Sequence, residues 1–139
     1  MIQNLRSDRL HDTAEDQRTP FERDRDRVLY CKPFYRLSET TQVARSGESY
    51  IYHDRMTHSL KVAQIGRRLS EFMIERKDIE GIENKINPSV VETAALAHDL
   101  GHPPFGHAAE DMLCDIIDEK GISGGFEGNQ QSIRILTNV

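Results

Sequence analysis

Residues 94–110 read AALAHDLGHPPFGHAAE, so an apolar run leads directly into three histidines and two carboxylates within thirteen positions. Imidazole and carboxylate groups are costly to bury unless a charged or hydrogen-bonding group receives them. A metal ion is the simplest such group. The stretch therefore predicts a metal site at the end of a buried helix.

The helix that carries this apolar run has clear start and stop signals. Asn87 is a preferred N-cap, and Pro88 fits the first helical position because its missing N–H would have no partner there. Small and apolar side chains predict that the helix is buried on most sides. Pro103 and Pro104 predict that it ends near His102, since the residue before a proline is pushed out of the α region.

A first upstream helix is predicted by a capping box. Thr19 is the N-cap, Pro20 takes the first helical position, and Glu22 follows three residues after the cap. This helix should run to about Cys31 and end at Pro33. Beyond it, we expect a short turn that leads into an extended piece at 40–43.

A second upstream helix is predicted from about Asp54 to Lys77. Steps of three and four residues give it an apolar stripe that we expect to face the core, namely Val62, Ile65, Leu69 and Phe72. Extending the stripe backwards by four residues places His58 on the same inward face, with Arg55 on a neighbouring part of it. Taken alone, His58 would more often be a hydrogen-bonded core residue than a metal ligand.

Two more helices are predicted downstream, so the fold class is all-α. One begins close to His107 and ends at about Lys120, with a core stripe of Met112, Leu113, Ile116 and Ile117. A glycine-rich loop covers 121–128. The last segment, 129–139, has a helical apolar face of Ile133, Leu136 and Val139, and it lacks a C-terminal stop signal.

Composition narrows the class of protein. The chain has 139 residues, of which 37% are hydrophobic and 29% charged, as expected for one globular domain. We expect a flexible N-terminal arm at 1–17, the domain at 18–139, and a cytoplasmic location without membrane contact. Cys31 and Cys114 form neither a disulfide framework nor a zinc-type pair. The net charge of −5 argues weakly against a nucleic-acid-coating protein, although a local basic site stays open.

His98 and Asp99, together with His58, form a candidate three-ligand metal set. Two nitrogens and one oxygen suit Mn, Fe, Zn, Ni or Co better than Ca, and they leave coordination positions open to water or substrate. His102 follows His98 by four residues, so it should lie near the metal without having to bind it.

His107 and Glu110 are three residues apart, which places both on one side of a helix. A carboxylate beside a histidine holds the imidazole ready for proton transfer or keeps it cationic beside an anionic substrate. The alternative is that both residues are solvated members of a first helical turn, where glutamate is favoured anyway.

Several segments of the chain resemble a known family. The His98-Asp99 pair with an upstream His58 resembles the HD-domain metal phosphohydrolases. A longer set of segments resembles the dGTPase-like deoxynucleoside triphosphate triphosphohydrolases: RTPFERDRDRV (18–28), TQV (41–43), RMTHSLKV (55–62), HDLGHPPFGH (98–107) and GFEGN (125–129).

The resemblance implies the helical HD-domain fold, a homo-oligomer, and hydrolysis of a deoxynucleoside triphosphate to a deoxynucleoside and inorganic triphosphate. It also implies roles for eight residues: His58, His98 and Asp99 as ligands of a divalent metal, with Mg among the candidates; His107 and Glu110 as the catalytic acid/base pair; Arg55 and His102 at the triphosphate; and Gln42 at the sugar. Glu127 and Asn129 lie in a family motif without an assigned role.

One departure from the family concerns the fourth metal ligand, an aspartate expected well downstream. Asp111, Asp115 and Asp118 come too early in the chain to match it. We therefore expect the chain to be an N-terminal portion of an HD domain, with weakened metal retention and little activity alone. Two other functions stay open: a different HD-type nucleotide phosphohydrolase, and a catalytically silent nucleotide-binding or oligomerisation module.

Overall fold

The computed structural model describes residues 17–40, 54–76, 81 and 85–138. Within them the chain forms six α-helices and one 3-10 helix, and no strand, which confirms the all-α prediction. The helices are α1 (Pro20–Tyr30), α2 (Lys32–Arg36), the 3-10 helix (Leu37–Glu39), α3 (Arg55–Arg76), α4 (Pro88–Ala97), α5 (His107–Glu119) and α6 (Gly128–Leu136). The predicted arm at 1–17 lies outside the described residues except for Gln17, and so do residues 41–43, which include Gln42.

Local capping explains where α1 and α4 begin, as predicted. The Thr19 hydroxyl accepts a hydrogen bond from the Glu22 amide at 3.3 Å, and the Glu22 carboxylate accepts one from the Thr19 amide at 2.8 Å. The Asn87 side chain accepts a bond from the Ser89 amide at 2.9 Å. Each cap satisfies backbone donors that would otherwise lack a partner at a helix start.

The segment after α1 differs from its prediction. Pro33 does follow the end of α1, but it occupies the second position of the short helix α2 instead of opening a turn. A proline is tolerated there because the first N–H groups of a helix have no intrahelical partner. The new turn of helix carries Phe34 into the core, and the 3-10 helix carries Leu37 there.

The core lies where α4 packs between α1 and α3. It consists of Val28, Cys31, Phe34, Leu37, Ala63, Leu96, Ala97 and Leu100. Small residues on α3 allow the close approach, since a Cβ on Gly66 would lie 3.3 Å from a methyl of Val91. Cys31 and Cys114 are both free thiols, as predicted.

An ion-pair network around the buried Glu92 also joins these three helices. Glu92 of α4 forms an ion pair with Arg25 Nε, 2.7 Å away, and accepts a hydrogen bond from Arg67 of α3 at 2.6 Å. Burial opposes ionisation of Glu92, but the bonds from Arg67 and Arg25 outweigh it and hold its pKa below the ordinary value. Charges alternate along residues 23–27 of α1, which read RDRDR, and Arg25 of this run takes part in a structural ion pair.

The predicted core stripe of α3 was wrong at three of its four positions, since only Val62 is half-buried. Ile65 is 67% exposed and Leu69 and Phe72 are more than half exposed, whereas the buried residues are Arg55, Ser59, Ala63 and Ser70. The helical period identifies an apolar face, but the face that α4 covers is the one with side chains small enough for close packing.

The stripes predicted for the last two helices also fail in part. Met112 is 64% exposed and Ile116 is exposed, and no residue of α5 is fully buried. In α6, Ile133 and Leu136 are exposed, while Ile135 packs against the core. Among the described residues, no helix has the length and apolar character needed to cross a membrane.

Candidate active site

Three side chains from two parts of the fold converge at the junction of α3 and α4. His58 lies in the first turn of α3, His98 caps the C-terminus of α4, and Asp99 follows it. Their ligand-type atoms all lie within 4.8 Å of one another, and the two imidazole centroids are 5.5 Å apart. We refer to these three residues as the candidate metal group.

The end of α4 decides how two of these residues are presented. The helix ends at Ala97 and not near His102, and the chain continues in turns closed by bonds from the Leu100 amide to Ala97 and from the His102 amide to Asp99. Leu100 is fully buried and anchors these turns. His102 is therefore not stacked on His98 along one helix but is brought back by the turn.

The hydrogen bonding of His98 fits a metal ligand. Its Nδ1 lies 2.7 Å from the carbonyl oxygen of Ala95, a contact in which a protonated Nδ1 donates. This tautomer leaves Nε2 with a free lone pair, 3.6 Å from Asp99 Oδ2. Two imidazoles and a carboxylate with one ring oriented by a backbone carbonyl are suitable ligands for a divalent transition metal.

Arg55 supplies a buried positive charge beside this group. Its Nη1 lies 3.7 Å from Asp99 Oδ1, and the residue is only 8% exposed. Within the described part of the chain, its Nε and Nη1 have no hydrogen-bond partner. A buried guanidinium with open donors is costly alone and favours an anion with several oxygens.

A second convergence brings His102, His107 and Glu110 within the same 4.8 Å limit. His107 Nδ1 lies 3.0 Å from Glu110 Oε2, while the rings of His102 and His107 meet edge to face at 5.7 Å. The His107 side chain is 84% exposed, so it is open to a ligand. We refer to His107 and Glu110 as the histidine–glutamate pair.

The electrostatics of this pair favour a charged carboxylate. The amide of Gly128 donates to Glu110 Oε1 at 2.7 Å, and this bond, followed by the contact with His107, holds the pKa of Glu110 below its ordinary value. His102 Nδ1 is buried without a hydrogen-bond partner among the described residues, 3.9 Å from Asp99 Oδ1.

A strained turn separates the two groups. Phe105 has φ of 70°, and Gly106 has φ of 62° with ψ of −138°. Residues other than glycine rarely adopt a positive φ. A non-glycine residue at positive φ stores about 1–3 kcal/mol. The reversal starts α5 at His107, so both members of the histidine–glutamate pair fall in its first turn.

The segment at 125–129, which has no role predicted from the sequence, forms the start of α6. Glu127 is the N-cap of α6, and its carboxylate accepts bonds from the Asn129 amide at 3.0 Å and the Gln130 amide at 2.6 Å. Gly128, predicted to lie in a loop, is the first residue of this helix. The signal was an acidic residue directly before a helical period, a typical N-cap pattern.

Four other residues considered in the sequence are not part of either group. Gln42 lies outside the described residues. Asp111, Asp115 and Asp118 are exposed on α5, and none of them joins a metal-type cluster in the described part of the chain.

Comparison with known proteins gives a family match and several relatives. Residues 55–134 match the family described as HD domain. Relatives named deoxyguanosinetriphosphate triphosphohydrolase-like protein share 37% identity over 95% of this chain in Wolinella succinogenes and 41% over 96% in Nitrosomonas europaea. A third, from Syntrophus aciditrophicus, shares 43% over 91%. The matched segments are 33%, 32% and 28% of those proteins, so the chain spans about a third of their length.

Proposed function

The chain belongs to the HD-domain family, and we propose that it contributes the metal-binding and triphosphate-binding part of an enzyme that hydrolyses a deoxynucleoside triphosphate, dGTP-like, to a deoxynucleoside and inorganic triphosphate. One observation carries this proposal: the candidate metal group, the buried Arg55 guanidinium and the histidine–glutamate pair lie around one turn, 98–110. Similarity to triphosphohydrolase-like relatives supports the substrate class.

In this proposal His58, His98 and Asp99 hold a divalent cation, with Mn, Mg, Fe, Zn, Ni and Co as candidates. Such a cation would supply Lewis-acid stabilisation of the charge on the α-phosphate. The protein's own contribution is to fix the donors, since the Ala95 carbonyl sets the tautomer of His98.

Arg55 and His102 bind the triphosphate. The N–H groups of the buried Arg55 guanidinium that lack a partner among the described residues donate hydrogen bonds to phosphate oxygens. Binding of the anion thereby removes the free-energy cost of burying a charge without hydrogen bonds. His102 has one buried ring nitrogen without a partner among the described residues, so it offers a further contact on the same side. Gln42 is assigned to the sugar by family resemblance alone.

The histidine–glutamate pair moves the proton. A water oxygen forms a bond to the α-phosphorus while the bond from that phosphorus to the deoxyribose O5′ breaks, and one proton passes from the water to the leaving oxygen. His107 is the exposed imidazole that accepts or donates this proton. Glu110 is ionised at neutral pH, and its contact with Nδ1 holds the His107 ring in place.

Release of inorganic triphosphate from each dNTP, with and without added Mn²⁺, tests the proposal in the full-length protein. We expect His107→Ala to lower kcat about 10²–10⁴-fold, the usual contribution of a general acid or base. Asp118→Asn, an exposed carboxylate on the same helix, is the matched control and should leave kcat unchanged.

Two other outcomes identify the alternatives. Turnover of a nucleoside monophosphate or a cyclic nucleotide, but not of any dNTP, would point to a different HD-type phosphohydrolase. Binding of dNTPs without turnover in any of the six metals would point to a silent nucleotide-binding module. Undiminished triphosphate release by His107→Ala would exclude the role given to this histidine. The cytoplasmic location and the homo-oligomer remain predictions.

A further inference from the structure

The first turn of α6 is packed directly against the turn that carries His98, Asp99 and His102. The Gly101 amide donates to Ser132 Oγ at 2.9 Å, and that hydroxyl donates to the Gly128 carbonyl at 3.1 Å. A Cβ on Gly101 would overlap the backbone of Ser132 and Gly128. Gly128 and Ser132 are both buried, so their backbone cannot easily move away. The contact therefore leaves no room for a side chain at position 101.

Gly128 contacts the candidate active site in two ways. A Cβ on Gly128 would lie 3.1–3.2 Å from three atoms of the His102 ring, so the bare α-carbon is the surface on which that ring rests. On its other side, the Gly128 amide donates to Glu110 at 2.7 Å. One residue therefore touches His102 and also holds the carboxylate that contacts His107.

The Gly128 amide can donate to Glu110 because another carboxylate accepts from the next amides at the start of α6. A helix begins with N–H groups that have no partner inside it, and these groups attract carboxylates. Glu127 takes the amides of Asn129 and Gln130, with the Asn129 side chain donating to it at 2.7 Å. The Gly128 amide is left for Glu110 of α5, so two carboxylates share one helix terminus.

From these contacts we propose that Gly128 is a positioning residue that sets the relative placement of His102 and the histidine–glutamate pair, with Glu127 as the cap that keeps its amide available. The assignment gives the motif at 125–129 a physical role. For the chemical roles of His102 and His107 it rests on the proposed function, but the placement itself can be measured without any turnover.

Two substitutions at this position separate its two contacts. Gly128→Ala retains the amide donor and adds a methyl group against the His102 ring. Gly128→Pro adds comparable bulk and removes the donor. Proline suits the first position of a helix, and the extended conformation of Glu127, with φ of −143° and ψ of 120°, suits the residue before a proline.

Carboxyl NMR titration of Glu110 in the 139-residue chain is the first test. The groups that face this carboxylate are His107, His102 and Glu127 as well as the Gly128 amide. We expect the pKa of Glu110 to rise toward its ordinary value in Gly128→Pro and to change little in Gly128→Ala. Gln130→Ala, an exposed residue of the same turn, is the control.

Kinetics in the full-length protein are the second test. We expect Gly128→Ala to raise KM for the dNTP several-fold, because the added methyl group displaces His102. We expect Gly128→Pro also to lower kcat, to about a tenth of the Gly128→Ala value. That loss is a part of the roughly 10²–10⁴-fold rate enhancement that acid/base catalysis supplies. Equal kcat values and equal Glu110 titrations in the two variants would overturn the proposal.

If Gly128→Pro fails to fold, a second measurement tests the same contact. The amide proton of Gly128 should shift upfield in Glu110→Gln, because a neutral amide oxygen is a weaker acceptor than a carboxylate. An unchanged amide shift would contradict the contact. Failure of the proposed function shows differently, as absent turnover with the Glu110 titration and the Gly128 shift behaving as expected.

Discussion

The candidate metal group and the histidine–glutamate pair share one short segment of sequence, but different forces hold them. His98 and Asp99 follow the buried end of α4, where Leu96, Ala97 and Leu100 are part of the core. The pair stands on α5, a helix without a fully buried residue, and is fixed by a strained turn and the first amide of α6. Core packing therefore positions the metal ligands, and hydrogen bonds position the proton-transfer residues.

Removing a metal ligand should have the largest effect. We expect His98→Ala to weaken Mn²⁺ binding more than the roughly 10–100-fold that loss of an outer-shell partner costs, because it deletes a donor atom. His102→Ala should retain Mn²⁺ within a few-fold. Electron paramagnetic resonance titration of free Mn²⁺ gives both affinities, and equal losses in the two variants would remove the distinction between the two groups.

The anchoring of the metal group in the core can be tested at Leu100. We expect Leu100→Ala to lower the free energy of unfolding by about 2–5 kcal/mol, since it leaves a cavity in a fully buried site. Leu113→Ala on the half-buried face of α5 should cost clearly less. Urea denaturation of both variants measures the difference, and a larger loss at Leu113 would reverse the comparison.

The hydrogen bonds that hold the pair should be visible in the pH dependence of stability. The pKa of Glu110 is depressed in the folded state, so the stability that it contributes is present above the ordinary glutamate value of 4.5 and is lost as pH falls through the folded value. Glu110→Gln should therefore show a smaller loss of stability over that acid range.

Denaturation curves at a series of pH values measure this difference. Glu22 and Glu92 also have lowered pKa values, and they contribute equally to both proteins. The pKa of Glu127 is lowered mainly by the Asn129 and Gln130 amides, and losing the Glu110 charge should lower it slightly further, a smaller effect of opposite sign. Identical pH profiles for the two proteins would show that the Gly128 bond does not stabilise the charged carboxylate.

The smallest effect is expected on the outer face of α5. Met112→Ala should change the free energy of unfolding by less than about 0.5 kcal/mol, because the side chain is 64% exposed. Thermal unfolding followed by circular dichroism is sufficient. A loss comparable to that of Leu100→Ala would mean that α5 is held by apolar packing after all.

Local rules explain which parts of the fold could be predicted. The caps at Thr19 and Asn87 use side chains within three residues of the amides that they satisfy, so sequence alone locates the starts of α1 and α4. The stripe of α3 failed because periodicity defines a face without identifying its partner, and Ile65 is on the face that the described helices leave exposed. The turn predicted after Pro33 was wrong because a proline that follows the end of one helix can also lie in the first turn of the next.

The site divides in the same way. The residue types in 98–110 determined, by themselves, that imidazoles and carboxylates would gather near one turn, because their spacing is short. The grouping of His58 with His98 and Asp99 was also predicted from the sequence. Only the tertiary structure decided the other contacts, which place Arg55 beside Asp99 and the Gly128 amide beside Glu110. Those contacts join residues distant in sequence, and they depend on how closely helices approach, which small residues such as Gly101 and Gly128 permit.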